Sequence, residues 1–107
     1  MATTEETIRR QLSENPIILY MKGTPETPQC GFSARAVLAL TRTGVPFASV
    51  DVLADPFIRE KLPKVSQWPT FPQLFVRGEL VGGSDIVAEM AQAGELQPLL
   101  AAAVTKG

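Results

Sequence analysis

Ile17-Ile18-Leu19-Tyr20-Met21-Lys22-Gly23-Thr24-Pro25-Glu26-Thr27-Pro28-Gln29-Cys30-Gly31-Phe32-Ser33-Ala34 contains, in order, the signals for a strand, a broken loop and a helix start. Ile17 to Met21 is a continuous apolar run of strand length, rich in β-favouring types, and reads as a buried central strand. Gly23 to Gln29, carrying Pro25 and Pro28, can only be loop. Beyond it Ala34, Val37, Leu38 and Thr41 fall on one helical face, and Gly44 closes that helix from the C′ position. Cys30, the only cysteine in the chain, therefore stands at a helix N-terminus. Unpaired backbone N–H groups and the positive end of the helix dipole favour the thiolate there, the form that attacks disulfides and binds metals. The plainer reading is a small buried hydrophobe, which composition alone favours. Pro28 and Gly31 argue instead for a loop tip.

Elements on either side complete an alternating order. Thr3 to Ser13 pairs Ile8 with Leu12 on a short amphipathic helix that Asn15-Pro16 ends. Phe47 to Val52 alternates as a second strand. Asp55-Pro56 reads as N-cap and first helical residue, opening a helix with Ile58, Leu62 and Val65 on one side and a kink or stop near Pro63. Leu74-Phe75-Val76 and Glu79-Leu80-Val81 flank Arg77-Gly78 as a hairpin. Gly82-Gly83-Ser84-Asp85 leads into a helix over Ile86 to Ala93, with Ser84 or Asp85 able to cap it, and a last helix runs from Glu95 to about Val104. The order α, β, α, β, α, β, β, α, α predicts an α/β domain: a small four-stranded mixed sheet flanked by helices on both faces.

The chain has 107 residues, 45% hydrophobic and 20% charged, which fits one globular domain over residues 1–107. A formal net charge of -1, with no basic run longer than Arg9-Arg10, gives no footprint for nucleic acid or an anionic membrane. No apolar stretch approaches the roughly 18 residues that span a bilayer, and the polar start resembles neither a signal nor a transit peptide. These features predict a cytoplasmic protein. One cysteine closes no internal disulfide. Glu5-Glu6 and Thr105-Lys106-Gly107 read as solvated ends.

Lys22, then Cys30-Gly31-Phe32-Ser33, then Trp68-Pro69-Thr70-Phe71-Pro72-Gln73-Leu74, then Gly82-Gly83-Ser84-Asp85, in this order and spacing, resemble a single-domain monothiol glutaredoxin of the CGFS type. The likeness covers nearly the whole chain. It implies a thioredoxin-like fold, a thiol that works with glutathione, and a main role in carrying a [2Fe-2S] cluster for assembly, storage or transfer. Dithiol relatives place a second cysteine where Ser33 stands, and some monothiol members hold one at the position of Ser84. Any redox cycle here must use an external thiol, so disulfide reductase activity is expected to be weak at most.

A [2Fe-2S] centre needs four ligands, most often cysteine thiolates. One cysteine and no histidine can hold it only with a second protomer and two borrowed thiolates, which the resemblance assigns to glutathione. The expected holo form is a homodimer bridged through the cluster. By resemblance, Cys30 is the catalytic and metal-ligating residue, and Lys22, Arg59, Phe71, Ser84 and Asp85 bind glutathione. Lys22 favours the thiolate and meets a carboxylate, and Arg59 meets the glycine carboxylate. Phe71 offers its backbone beside a cis Pro72, while Ser84 and Asp85 take the γ-glutamyl end. Without the resemblance Lys22 and Arg59 read as solvated charges, Phe71-Pro72 as a strand entry and Trp68 as packing. Phe32 is core or a lid beside the thiol. Expected partners are apo iron-sulfur recipient proteins and a BolA-type protein. The other readings are a glutathione-dependent oxidoreductase that removes glutathione from mixed disulfides, a regulatory interaction module, and a domain that kept the fold but lost the chemistry.

Overall fold

A computed structural model describes residues 2–105. Met1, Lys106 and Gly107 of the expected domain and solvated tail lie outside the described residues. The elements are α1 (Thr4–Glu14), β1 (Ile17–Met21), α2 (Gly31–Arg42), β2 (Ala48–Asp51), α3 (Pro56–Ser66), β3 (Gln73–Val76), β4 (Glu79–Gly82), α4 (Ser84–Gln92) and α5 (Leu96–Thr105). Their sheet has the order β2-β1-β3-β4, with β1 parallel to β2 and antiparallel to β3, and β3 antiparallel to β4. This is the four-stranded mixed sheet expected from the element order.

Every residue of β1 is buried, so its alternating side chains feed two cores. Ile17, Leu19 and Met21 join Ala36, Val37 and Leu40 of α2, Val87 of α4, and Leu96 and Leu100 of α5. Ile18 and Tyr20 join Ile8 of α1, Ile58 and Leu62 of α3, and Phe75 of β3. Tyr20 meets Phe75 edge to face, with ring centroids 5.7 Å apart, and donates its hydroxyl to Gln11 Oε1 at 2.9 Å. Burial raises the pKa of that phenol.

Local signals set most boundaries. Thr3 and Glu6 form a reciprocal capping box at α1. Asp55 caps α3 by accepting from the Ile58 N–H at 3.2 Å, with Pro56 in the first turn. Arg77 and Gly78 have φ of 52° and 80°, both in the left-handed region that a two-residue hairpin turn requires. Gly44, at φ 76°, follows the last turn of α2 as expected.

Several details depart from the sequence expectations. On α2 the buried residues are Ser33, Ala36, Val37 and Leu40, while Ala34, Leu38 and Thr41 are exposed. Ser33 takes an inward position because its hydroxyl accepts the Lys22 N–H at 3.1 Å, a polar anchor that an apolar pattern passes over. α3 runs past Pro63 to Ser66 and ends at Gln67 in the left-handed conformation, and Val65 is exposed. Neither Ser84 nor Asp85 caps α4, whose N-cap is Gly83 with no side-chain bond. Glu5 and Glu6 are more than solvated charges. Glu5 pairs with Arg9 and with Lys61 of α3, and Glu6 completes the capping box.

Leu19 is fully buried at the centre of the sheet. Leu19→Ala is expected to cost about 2–5 kcal/mol, read as a lower urea midpoint at unchanged slope.

Candidate functional site around Cys30

The segment from Gly23 to Gln29 is more ordered than a plain loop. The backbone N–H groups of Thr24 and Thr27 each donate to the other's carbonyl, at 3.2 and 3.0 Å, around Pro25-Glu26. Gly23 bridges to Pro28, and the Gln29 N–H donates to the Lys22 carbonyl at 2.9 Å. This miniature hairpin turns the chain back at the end of β1 and delivers Cys30 beside Lys22. Gly23 is required: its φ is 91°, and a Cβ there would lie 2.5 Å from the Thr27 carbonyl oxygen. Its N–H donates to Asp51 Oδ1 at 2.9 Å, which fastens the hairpin to the end of β2.

Cys30 is the N-cap of α2, in extended conformation, and its carbonyl accepts from the Ala34 N–H at 2.9 Å. The thiol is a free, half-buried group. Its pKa is held below the ordinary cysteine value, chiefly by the Ser33 backbone N–H directed at the sulfur. Burial opposes this; the Phe32 N–H, the Lys22 charge and the Ser33 hydroxyl add to it. Ser33 thus connects two parts of the site, since its oxygen accepts the Lys22 N–H while its hydroxyl favours the thiolate.

A cavity of about 450 Å³ lies nearby, lined by Phe32, Trp68, Thr70, Pro72, Gly83, Ser84, Asp85 and Ile86. It brings together three separated sequence blocks. Phe32 is 59% exposed, which places it on the cavity rim and not in the core. Pro72 follows a cis peptide bond, as expected. The unblocked N-terminus of α4 presents backbone N–H groups, so an anion fits there. Ser84 is buried in its first turn, and Asp85 is exposed and pairs with Arg35 of α2 at 3.3 Å.

The remaining expected residues are placed less directly. Lys22 is half-buried next to β1, and Phe71 packs partly into the core with Tyr20 and Phe75. The Arg59 side chain is exposed on α3 and makes no hydrogen bond or ion pair among the described residues. No group of three or more His, Cys, Asp or Glu side chains could hold a metal ion among the described residues. Cys30 is the one thiolate on offer. Sequence reasoning missed the roles of Ser33, Asp51, Arg35 and Gln73; of these, only Gln73 left a signal, as a polar residue beside the apolar run Leu74 to Val76.

In a pH series of iodoacetamide alkylation, the Cys30 midpoint is expected below that of a free cysteine. Ser33→Ala should move it upward without reaching the free value, because the backbone N–H groups remain. A folded-state pKa that is depressed contributes stability above the unfolded pKa and loses it as pH falls through the folded value. The same substitution leaves the Lys22 N–H unpaired at a part-buried site, with an expected loss of about 1–3 kcal/mol in urea unfolding. An unmoved midpoint would show that the hydroxyl does not act on the sulfur.

A model of the glutaredoxin family matches residues 17–81, from β1 into β4. Glutaredoxin 4 of Escherichia coli is 64% identical over 100 residues, covering 94% of this chain and 87% of that protein. Glutaredoxin 4 of Pasteurella multocida is 60% identical over 103 residues, covering 96% of this chain and 94% of that protein. Among solved structures, reduced apo GrxS14 of poplar superimposes with a TM-score of 0.81 at 40% identity, covering 95% of this chain and 94% of that one. The mixed sheet with its surrounding helices is accordingly the thioredoxin-like fold. With Ser33 in place of a second active-site thiol, the chain belongs to the glutaredoxin family as a monothiol member.

Proposed function

We propose that two copies of this chain carry a [2Fe-2S] cluster between them in the cytoplasm, each giving Cys30 and one bound glutathione thiolate, and pass it to apo iron-sulfur proteins. The observation that supports this most is the lone thiol: Cys30 is free, partly accessible and held toward the thiolate, and no group of three or more His, Cys, Asp or Glu side chains among the described residues could hold a metal ion. Two such chains supply two of four ligands, and glutathione supplies the others. The cluster is cargo, and the chain's part is to hold, orient and release it.

The cavity suits glutathione chemically. The free N–H groups of α4 match the γ-glutamyl carboxylate, and the Asp85 carboxylate matches its α-ammonium group. Ser84 belongs to the same turn. Phe71, preceding the cis bond, offers its backbone to the cysteinyl part. Lys22 and Arg59 answer the glycine carboxylate at the other end. Asp85 must share its charge with Arg35, which already pairs with it.

A second reading rests on the depressed thiol pKa. The Cys30 thiolate attacks the glutathionyl sulfur of a mixed disulfide and the target leaves as a thiolate. A second glutathione thiolate then attacks the mixed disulfide on Cys30, giving oxidised glutathione and restoring the Cys30 thiolate. The absence of a second thiol makes this step wait on free glutathione. A BolA-type protein replacing one copy in the cluster dimer is the regulatory form of the first reading.

Anaerobic reconstitution with glutathione is expected to give a dimer by light scattering, with two irons, two sulfides and two glutathiones per pair of chains. Cys30→Ser should keep its circular dichroism and lose the cluster. Arg59→Ala and Lys22→Ala should each shorten cluster lifetime by roughly two- to fivefold, because wholly or partly exposed charge pairs contribute under about 1 kcal/mol. A monomer that retains two irons and two sulfides would overturn the proposal. Fast deglutathionylation together with no transfer to apo-ferredoxin would favour the second reading.

A further inference from the structure

Gln73 is a fully buried polar residue at the start of β3, paired with Tyr20 in the register of β1. Its neighbours Leu74, Phe75 and Val76 are apolar and buried. A polar side chain is tolerated in such a place only when it is hydrogen-bonded. The Nε2 group uses both of its protons, donating to the Trp68 carbonyl at 2.8 Å and to the Thr70 carbonyl at 3.2 Å. Two carbonyls facing one atom fix the amide orientation, since the reversed amide would set an oxygen against two acceptors. Oε1 finds no partner among the described residues, so the side chain is held there by its donor end.

Both carbonyls belong to the irregular segment between α3 and β3, which depends on such bonds for its shape. Within that segment the Trp68 indole Nε1 is buried with no partner among the described residues. It lies against Gly83, where an added Cβ would be 3.2 Å from Nε1 and 3.4 Å from the Pro72 carbonyl oxygen. Gly83 is the N-cap of α4. Trp68, Thr70, Pro72 and Gly83 all line the cavity, and Gln73 does not.

We propose that Gln73 is a positioning residue: by clamping the carbonyls of Trp68 and Thr70 it holds the indole against Gly83 and so sets the wall of the cavity that takes glutathione. The choice of ligand rests on the function proposed above. Without the clamp, two carbonyls lose their donor, the segment shifts to regain one, and the indole leaves the α4 N-terminus. Gln73 acts on the ligand only through this wall.

The test uses the full-length apo protein, reduced glutathione as titrant, and Trp68 emission, which is unambiguous because the chain has one tryptophan. Gln73→Met keeps the side-chain length and removes the donors. It is expected to shift Trp68 emission to the red, raise acrylamide quenching, and weaken glutathione binding by roughly three- to tenfold. These are read well below the melting temperature with circular dichroism unchanged. A purely structural Gln73 would lower the melting temperature and leave emission and affinity alone, and that result overturns the proposal. Should the parent protein bind no glutathione, the ligand assignment fails, and the emission comparison still decides whether Gln73 holds Trp68. Should Gln73→Met not fold, Gln73→Asn takes its place, keeping an amide but one methylene too short to reach both carbonyls. It must then shift emission and weaken binding, and unchanged values of either overturn the proposal.

Discussion

Burial of β1 on both faces is the constraint from which the rest of the molecule follows. A strand whose five residues are all buried must have a layer on each side, and the alternation of its side chains assigns α2, α4 and α5 to one layer and α1 and α3 to the other. With β2 on one flank and β3 on the other, β1 has no free edge. The only part of it open to chemistry is its C-terminal end, where the chain leaves the sheet at Lys22.

Polar groups take over at that end. The Asp51 carboxylate holds the Gly23 N–H, the Ser33 hydroxyl holds the Lys22 N–H, and the Gln73 amide holds the carbonyls of Trp68 and Thr70. Each ties an irregular segment to a regular element. Each also satisfies backbone groups that the neighbouring ladders cannot reach. Cys30 and the cavity beside it therefore rest on a frame tied by these bonds, with the thiol and the α4 N-terminus among the groups still able to accept a partner.

Much of the fold was legible because its signals are local. The apolar run Ile17 to Met21 matches β1 residue for residue, Asp55-Pro56 opens α3, and Arg77-Gly78 turns the hairpin. The inward face of α2 is not legible from apolar spacing, because Ser33 occupies an inward position that only its distant partner at Lys22 explains. Of the kink or stop that Pro63 suggests, the stop does not occur, since α3 continues through Pro63 to Ser66. At the site, Cys30 and the Gly83-Ser84-Asp85 turn were visible as motifs. The Arg35–Asp85 pair and the Asp51–Gly23 bond join residues 50 and 28 positions apart, and no spacing along the chain encodes them.

Arg77 joins three parts of the chain. Its N–H donates to the Pro16 carbonyl at 2.8 Å and its guanidinium Nε to the Ala103 carbonyl at 2.9 Å, so the hairpin turn, the entry to β1 and the end of α5 meet at one pole of the sheet. Cys30 lies past the opposite end of β1. A protein fused behind α5 thus departs from the pole remote from the thiol and leaves the reactive end unshaded. The geometry at the end of α5 lets a unit be joined on that side without rebuilding the chemistry at Cys30.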